Sequence, residues 1–258
     1  MKNPKLYILI TFVITLCVLY GCSNSDLEMQ PAKTPPSAET LAKAEQLFSQ
    51  RKDLSKLREA IGVLQRARVE NHRTYDVEWK FARYNYFLAR HTTDEEERER
   101  SFEAGKSAAK IAMQMEPNKP EGHFWYGANL GEQANRSPIM VGLESVDEIK
   151  AAMNKVIELQ PEFELASPYA VLGRIELQTR LMGGRTEKAL EYLEKALTIE
   201  KNNGDIRINL AEAYLAQKKE AEAKKQLEFV LHMTPYPEYM IEYDEQVGKA
   251  KLLLSTKF

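Results

Sequence analysis

The window 205–235, DIRINLAEAYLAQKKEAEAKKQLEFVLHMTP, constrains the fold more than any other stretch of the chain. Leu210 and Ala211 pair a large residue with a small one, Tyr214 follows, Ala223, Leu227 and Val230 recur at helical spacing, and Pro235 closes the unit. Small residues let a neighbouring helix approach closely, and the proline stops the second helix. Two helices of this kind cannot bury their apolar faces alone, so the unit demands neighbours built the same way.

Those neighbours are present upstream. The second-helix and exit positions recur as Ala60, Leu64, Ala67 and His72; as Gly105, Ala109, Ala112 and Pro117; as Ile149, Met153, Val156 and Pro161; and as Ala189, Leu193, Ala196 and Lys201. The exits at 72, 117, 161, 201 and 235 lie 45, 44, 40 and 34 residues apart. The excess falls in turns such as NRSPIMVGLES and RLMGGRTE, where glycine and proline tolerate irregular backbone. This is tetratricopeptide (TPR) grammar. It predicts an all-α, TPR-like α-solenoid of about five helical hairpins over residues 38–258. Helices are expected at 39–51, 54–70, 75–91, 94–115, 120–135, 144–159, 167–181, 186–200, 204–217 and 219–233. The last segment, PEYMIEYDEQVGKAKLLLSTKF, is expected to be an amphipathic helix that caps the end repeat.

The first residues have a different character. MKNPKLYILITFVITLCVLYGCSNS sets Lys2 and Lys5 before an apolar run from Leu6 to Leu19, a secretory layout with an apolar core shorter than a spanning helix needs. Leu19-Tyr20-Gly21-Cys22 resembles the lipobox of bacterial lipoproteins, which implies a signal peptide over 1–21 and lipidation of Cys22. The only other cysteine is Cys17, inside the apolar run, so the body has no disulfide framework. Each buried acyl methylene adds about 0.8 kcal/mol of anchoring, and several chains are needed for a firm hold. Ser23 after the cysteine implies, by the same resemblance, the periplasmic face of the outer membrane. Residues 22–37 form a polar tether; its stretch SNSDLEMQPAKTPPS reaches at most about 50 Å when extended. Removing Lys2 and Lys5 from the 36 basic residues leaves 34 against 38 acidic ones, a net charge of −4 without the basic stripe nucleic acid requires.

Enzymatic motifs do not appear. His72, His91, His123 and His232 have no paired ligand spacing, and no G-x-S-x-G, P-loop or dinucleotide fingerprint is present. We therefore expect no catalysis, no metal and no cofactor. Gly183-Gly184 is expected to be a helix exit through left-handed backbone.

The stretch EGHFWYGANLGEQ, residues 121–133, needs the repeat register to be understood. With Pro120 opening a first helix, His123, Tyr126, Gly127 and Leu130 fall on packing positions. Phe124 and Ala128 fall toward the concave surface, where repeat proteins of this type receive peptides, with Trp125 at its edge. The same register in neighbouring first helices adds Trp79, Arg83 and Tyr86, then Arg174, then Ile208 and Glu212. Aromatic faces beside arginines can hold an anionic or aromatic group.

The quoted segments PNKPEGHFWYGANLGE, ESVDEIKAAMNKVIELQPEF, SPYAVLGRIELQTRLMGGRTEKALEYLEKALTIEKNN and LAEAYLAQKKEAEAKKQLEFVL resemble the TRAP transporter T-component (TatT) lipoproteins. Glu164-Leu165-Ala166 stands where many relatives carry glycines. The resemblance implies a lipid-anchored periplasmic scaffold that binds a protein partner, the substrate-binding protein of a TRAP-type transporter, and an oligomer with a hydrophobic passage. Two other functions suit the same architecture: a carrier of a small apolar or acidic ligand through a hydrophobic groove or oligomer pore, and an outer-membrane or pilus assembly lipoprotein.

Overall fold

A computed structural model describes residues 38–68, 73–137 and 139–258, the side chains of 139–141 excepted. The expected signal peptide 1–21, Cys22, the tether 22–37 and the exit residue His72 lie outside the described residues. Twelve α-helices follow one another with no strand among the described residues: α1 Ala38–Phe48, α2 Leu54–Ala67, α3 Tyr75–His91, α4 Glu95–Met115, α5 Pro120–Arg136, α6 Ile139–Glu144, α7 Val146–Leu159, α8 Phe163–Gln178, α9 Thr186–Ile199, α10 Gly204–Ala216, α11 Glu220–His232 and α12 Met240–Lys257. Pairs α1/α2, α3/α4, α5/α7, α8/α9 and α10/α11 are the five hairpins, and α12 is the capping helix.

Local chemistry places the helix starts. The Asp53, Thr74, Asp94 and Asn203 side chains accept hydrogen bonds from first-turn backbone N–H groups, and Pro120 opens α5 where its missing N–H costs nothing. The second-helix triads then settle the packing. Apart from Ala67, which is half-buried, every one of their members is buried, from Ala60 and Leu64 in α2 to Ala223, Leu227 and Val230 in α11. Gly105 in α4 is there for proximity, since a Cβ on it would meet the buried Asn129 Oδ1 at 2.4 Å.

The core is serial, as a repeat stack requires. One apolar cluster runs from α1 to α8, a second joins α8, α9 and α10, and a third joins α10, α11 and α12. Tyr192 packs against the first two and Tyr214 against the last two, so each cluster hands over to the next. A buried ion pair ties the second hairpin to the first: Arg68 grips the fully buried Glu78 through Nε and Nη2 at 2.8–3.0 Å, with its guanidinium over Phe81.

Three details differ from expectation. The helix expected to 51 ends at Phe48, because Arg51 turns inward and is buried. The turn NRSPIMVGLES contains the short helix α6. The third detail lies in α8, where Glu164, Leu165 and Ala166, just after its first residue Phe163, have φ of 46°, 58° and 58°. They form a left-handed turn, and right-handed helix begins only after it, at about the predicted residue 167. Left-handed backbone costs non-glycine residues about 1–2 kcal/mol each. Glycines at these positions would adopt it freely. Gly183, at φ 107°, confirms the left-handed exit of the Gly-Gly turn, which Glu176 holds by accepting from Arg185 N–H at 3.0 Å.

Candidate functional site: the face covered by α12

The first helices of successive hairpins, α3, α5, α8 and α10, stand side by side and carry every residue of the expected groove. Trp79 is half-buried and donates from Nε1 to Asp76 on its own helix at 3.0 Å. Arg83 sets its guanidinium over Phe48 at 4.8 Å and over Trp125 at 5.5 Å. Tyr86 meets Trp125 ring to ring at 5.4 Å. Arg174 and Glu212 remain accessible further along, and Arg174 faces Glu132 at 3.7 Å. Although its surface is exposed, partial desolvation by the neighbouring helices raises the Glu212 carboxyl pKa against the pull of Arg174 and Lys249.

Four of the expected contact residues are not open to a partner. Phe124, Trp125 and Ala128 are only 6%, 3% and 8% exposed, and Ile208 is buried in the third core cluster. Phe124 packs edge-on against Phe163, which the left-handed turn brings over it. Ile208 is covered by α12 as the end cap. By contrast, His123, Tyr126, Gly127 and Leu130 take their expected core positions. The His123 ring closes on the Pro117 carbonyl at 2.9 Å, and the Tyr126 hydroxyl donates to Glu148 at 2.6 Å.

What covers this side is the chain's own last helix. Arg51, only 7% exposed, binds Glu242 of α12 in a bidentate fork, Nε to Oε1 at 3.1 Å and Nη2 to Oε2 at 2.7 Å, and also donates to the Glu238 carbonyl at 2.9 Å. Arg90 reaches Glu245 at 2.9 Å, and Lys52 reaches Asp244 at 3.5 Å. His91 places Nδ1 at 2.7 Å from the Phe87 carbonyl and Nε2 at 2.5 Å from Glu245. With Glu245 ionised both ring nitrogens face acceptors, a geometry that favours the imidazolium. The hydrogen bond to Glu245 accordingly raises the His91 pKa above its ordinary value. Burial pushes the Glu245 carboxyl up, but the His91 bond and the Arg90 charge outweigh it and leave it lowered. Tyr239 donates to Glu164 in the left-handed turn at 2.8 Å, and Gln246 donates to Asp205 of α10 at 2.9 Å. The cap expected on the last repeat therefore also returns to the first hairpin.

Beneath the start of α12 lies a cavity of about 110 Å³ whose lining includes Tyr86, Phe87, Phe124, Trp125, Tyr239 and Tyr243. Trp125 Nε1 and Arg83 Nε are buried there or beside it without a hydrogen-bond partner among the described residues. Periodicity gave no sign of this cover. The usable signal was the charge of the last segment, whose acids crowd one half and whose lysines crowd the other.

The described residues contain no group of three or more His, Cys, Asp or Glu able to hold a metal ion, and no helix among them is long and apolar enough to cross a membrane. No curated protein matches the chain. Among solved structures it is similar to TTC0263, a thermophilic TPR protein of Thermus thermophilus, at 19% identity and a TM-score of 0.59 over 81% of this chain and 97% of that one. It is also similar to MamA of MSR-1, at 14% identity and a TM-score of 0.45 over 80% of this chain and 98% of that one. Residues 180–239 match the tetratricopeptide repeat. Residues 40–180, more than half of the 258-residue chain, match the family described as regulator of microtubule dynamics protein 1-3, and to that family this TPR-fold chain belongs.

Proposed function

We propose that the protein is a lipid-anchored scaffold that binds a protein partner on the side formed by α3, α5, α8 and α10. One observation carries this reading: that side already receives α12 and the turn Pro237–Tyr239 leading into it, the helix through side chains of the first hairpin, α3 and α10 and the turn through Glu164 of α8. A surface built to hold one helix through a distributed polar set has the attributes of a helix-receiving groove. The lipobox-like Leu19–Cys22 supports anchoring at Cys22 on the periplasmic face of the outer membrane. The TatT resemblance supports the substrate-binding protein of a TRAP-type transporter as the partner. The microtubule role in the family's description belongs to the proteins it was named for, and an export leader argues for the envelope here.

A small ligand is the second reading, favoured by the aromatic cavity and the unpartnered Trp125 Nε1. The cavity lining includes Glu164, Asp205 and Glu242 against Arg90, which favours an apolar body with one acceptor over an acid.

Photo-cross-linking in cells separates the two. A cross-linkable residue at Arg174 or Glu212 should trap one defined protein, while the same residue at the exposed Lys224 of α11 should not. Equal trapping from all three positions overturns the assignment of this face. Cys22→Ala should release the protein from membranes; continued firm attachment overturns the lipid anchor.

A further inference from the structure

The segment lying on this face reveals which chemistry the face accepts. Residues 236–246, YPEYMIEYDEQ, carry four acids and no base, whereas residues 247–258, VGKAKLLLSTKF, carry three lysines and no acid. The second half does the capping: Val247, Ala250, Leu253 and Leu254 pack with Ile208, Leu227 and Val230 of the last repeat. Capping therefore accounts for half of the helix only. The acidic half instead spans to the far end of the stack and is met by residues of opposite sign, Arg51, Lys52, Arg90 and His91. It also leaves the aromatic floor incompletely filled, with about 110 Å³ open beside Trp125.

We propose that the rim formed by Arg51, Arg90 and His91, with its floor of Phe87 and Trp125, recognises an acidic, tyrosine-bearing helical segment of the protein partner, and that residues 236–246 hold this site in cis as a competitor. The proposal rests on the reading that this face is the partner-binding surface. A partner segment carrying the same acids and a larger aromatic side chain fills the open volume and offers Trp125 Nε1 an acceptor. It thereby gains contacts the cis segment lacks. Capture of the partner releases the start of α12, while the apolar half keeps the last repeat covered.

The test uses the full chain and a labelled synthetic peptide of residues 235–247, followed by fluorescence anisotropy at low salt. In wild type the site is occupied. In Glu242→Lys with Glu245→Lys the cis segment is repelled, and the peptide should bind at least about ten-fold more tightly than to wild type. Salt at about 0.5 M should abolish that binding, and a peptide with both glutamates changed to lysine should not bind. Equal binding by wild type and variant, or by the two peptides, overturns the proposal. A second variant guards against misfolding: Arg90→Glu with Glu245→Arg re-forms one cis pair with reversed sign and should bind the native peptide no better than wild type. Binding as tight as that of the opened variant also overturns it. If the peptide fails while cross-linking from positions 174 and 212 still traps a partner, this inference falls and the broader reading stands; if both fail, both fall.

Discussion

Replacing Glu242 by glutamine tests the closure of the stack at its strongest point. The change keeps the side chain's shape and removes its charge, so Arg51 loses the bidentate fork but keeps the Glu238 carbonyl at 2.9 Å. Its guanidinium also stays over Phe48 and Phe87, at 4.8 and 5.2 Å. Removing one partner of a buried ion pair costs about 3–5 kcal/mol, because the other charge is left without compensation. The retained carbonyl and ring faces offset part of this, a cation–π contact being worth about 0.5–2 kcal/mol. We expect Glu242→Gln to lose roughly 2–3 kcal/mol, just below that buried-pair range once the offset is subtracted. Urea unfolding of the full chain measures it as a fall in midpoint at unchanged slope. Arg51→Met with Glu242→Leu should recover most of the loss, since an apolar pair of similar volume replaces a buried ion pair at little or no cost. A loss below about 0.5 kcal/mol for Glu242→Gln, the range of an ordinary surface change, would refute the assignment of this bridge as a fastener.

Ala166→Gly should reverse the usual sign. In an α-helix interior the change costs about 1 kcal/mol, but at φ 58° it relieves left-handed strain of similar size, so stability should hold or rise. A chemical-denaturation loss near 1 kcal/mol would count against the left-handed turn. The His91–Glu245 bond sets a pH window. A raised histidine pKa gives stability that is complete below the ordinary value of 6.5 and is lost as pH climbs through the folded value. A lowered glutamate pKa gives stability present above 4.5 and lost as pH falls through the folded value. The gap in melting temperature between wild type and His91→Gln should therefore be widest between those limits and shrink toward alkaline pH. A gap that is flat or grows with pH contradicts the imidazolium geometry.

The repeat positions were legible in the sequence because they describe contacts between neighbours. Ala189, Leu193 and Ala196, or Ile149, Met153 and Val156, announce a helix face by spacing alone, and each is buried where that spacing puts it. Phe124 and Trp125 show where such reading stops. The register points them toward the concave side, yet they are buried, and that burial depends on Phe163 and on aromatic neighbours in α3, contacts the period does not encode. The expected helix start at 167 left Glu164–Ala166 outside the helix, but three non-glycine residues give no sign that the backbone there is left-handed. The Arg51–Glu242 contact joins residues 191 apart, and a period of 34 to 45 residues carries no information at that range.

That long contact changes how the molecule comes apart. A helical-repeat array normally behaves as a line of units coupled only to their neighbours, and it frays from its two ends inward. Here the first hairpin and the last helix are fastened to each other, so the line is joined into a loop of couplings with no end unit from which fraying begins. Hydrogen exchange should then find the terminal hairpins protected to nearly the same degree as the middle ones, and cutting the Arg51–Glu242 bridge should restore a gradient from ends to centre. The cost falls on assembly, because the fastening contact forms only after the whole array has been laid down.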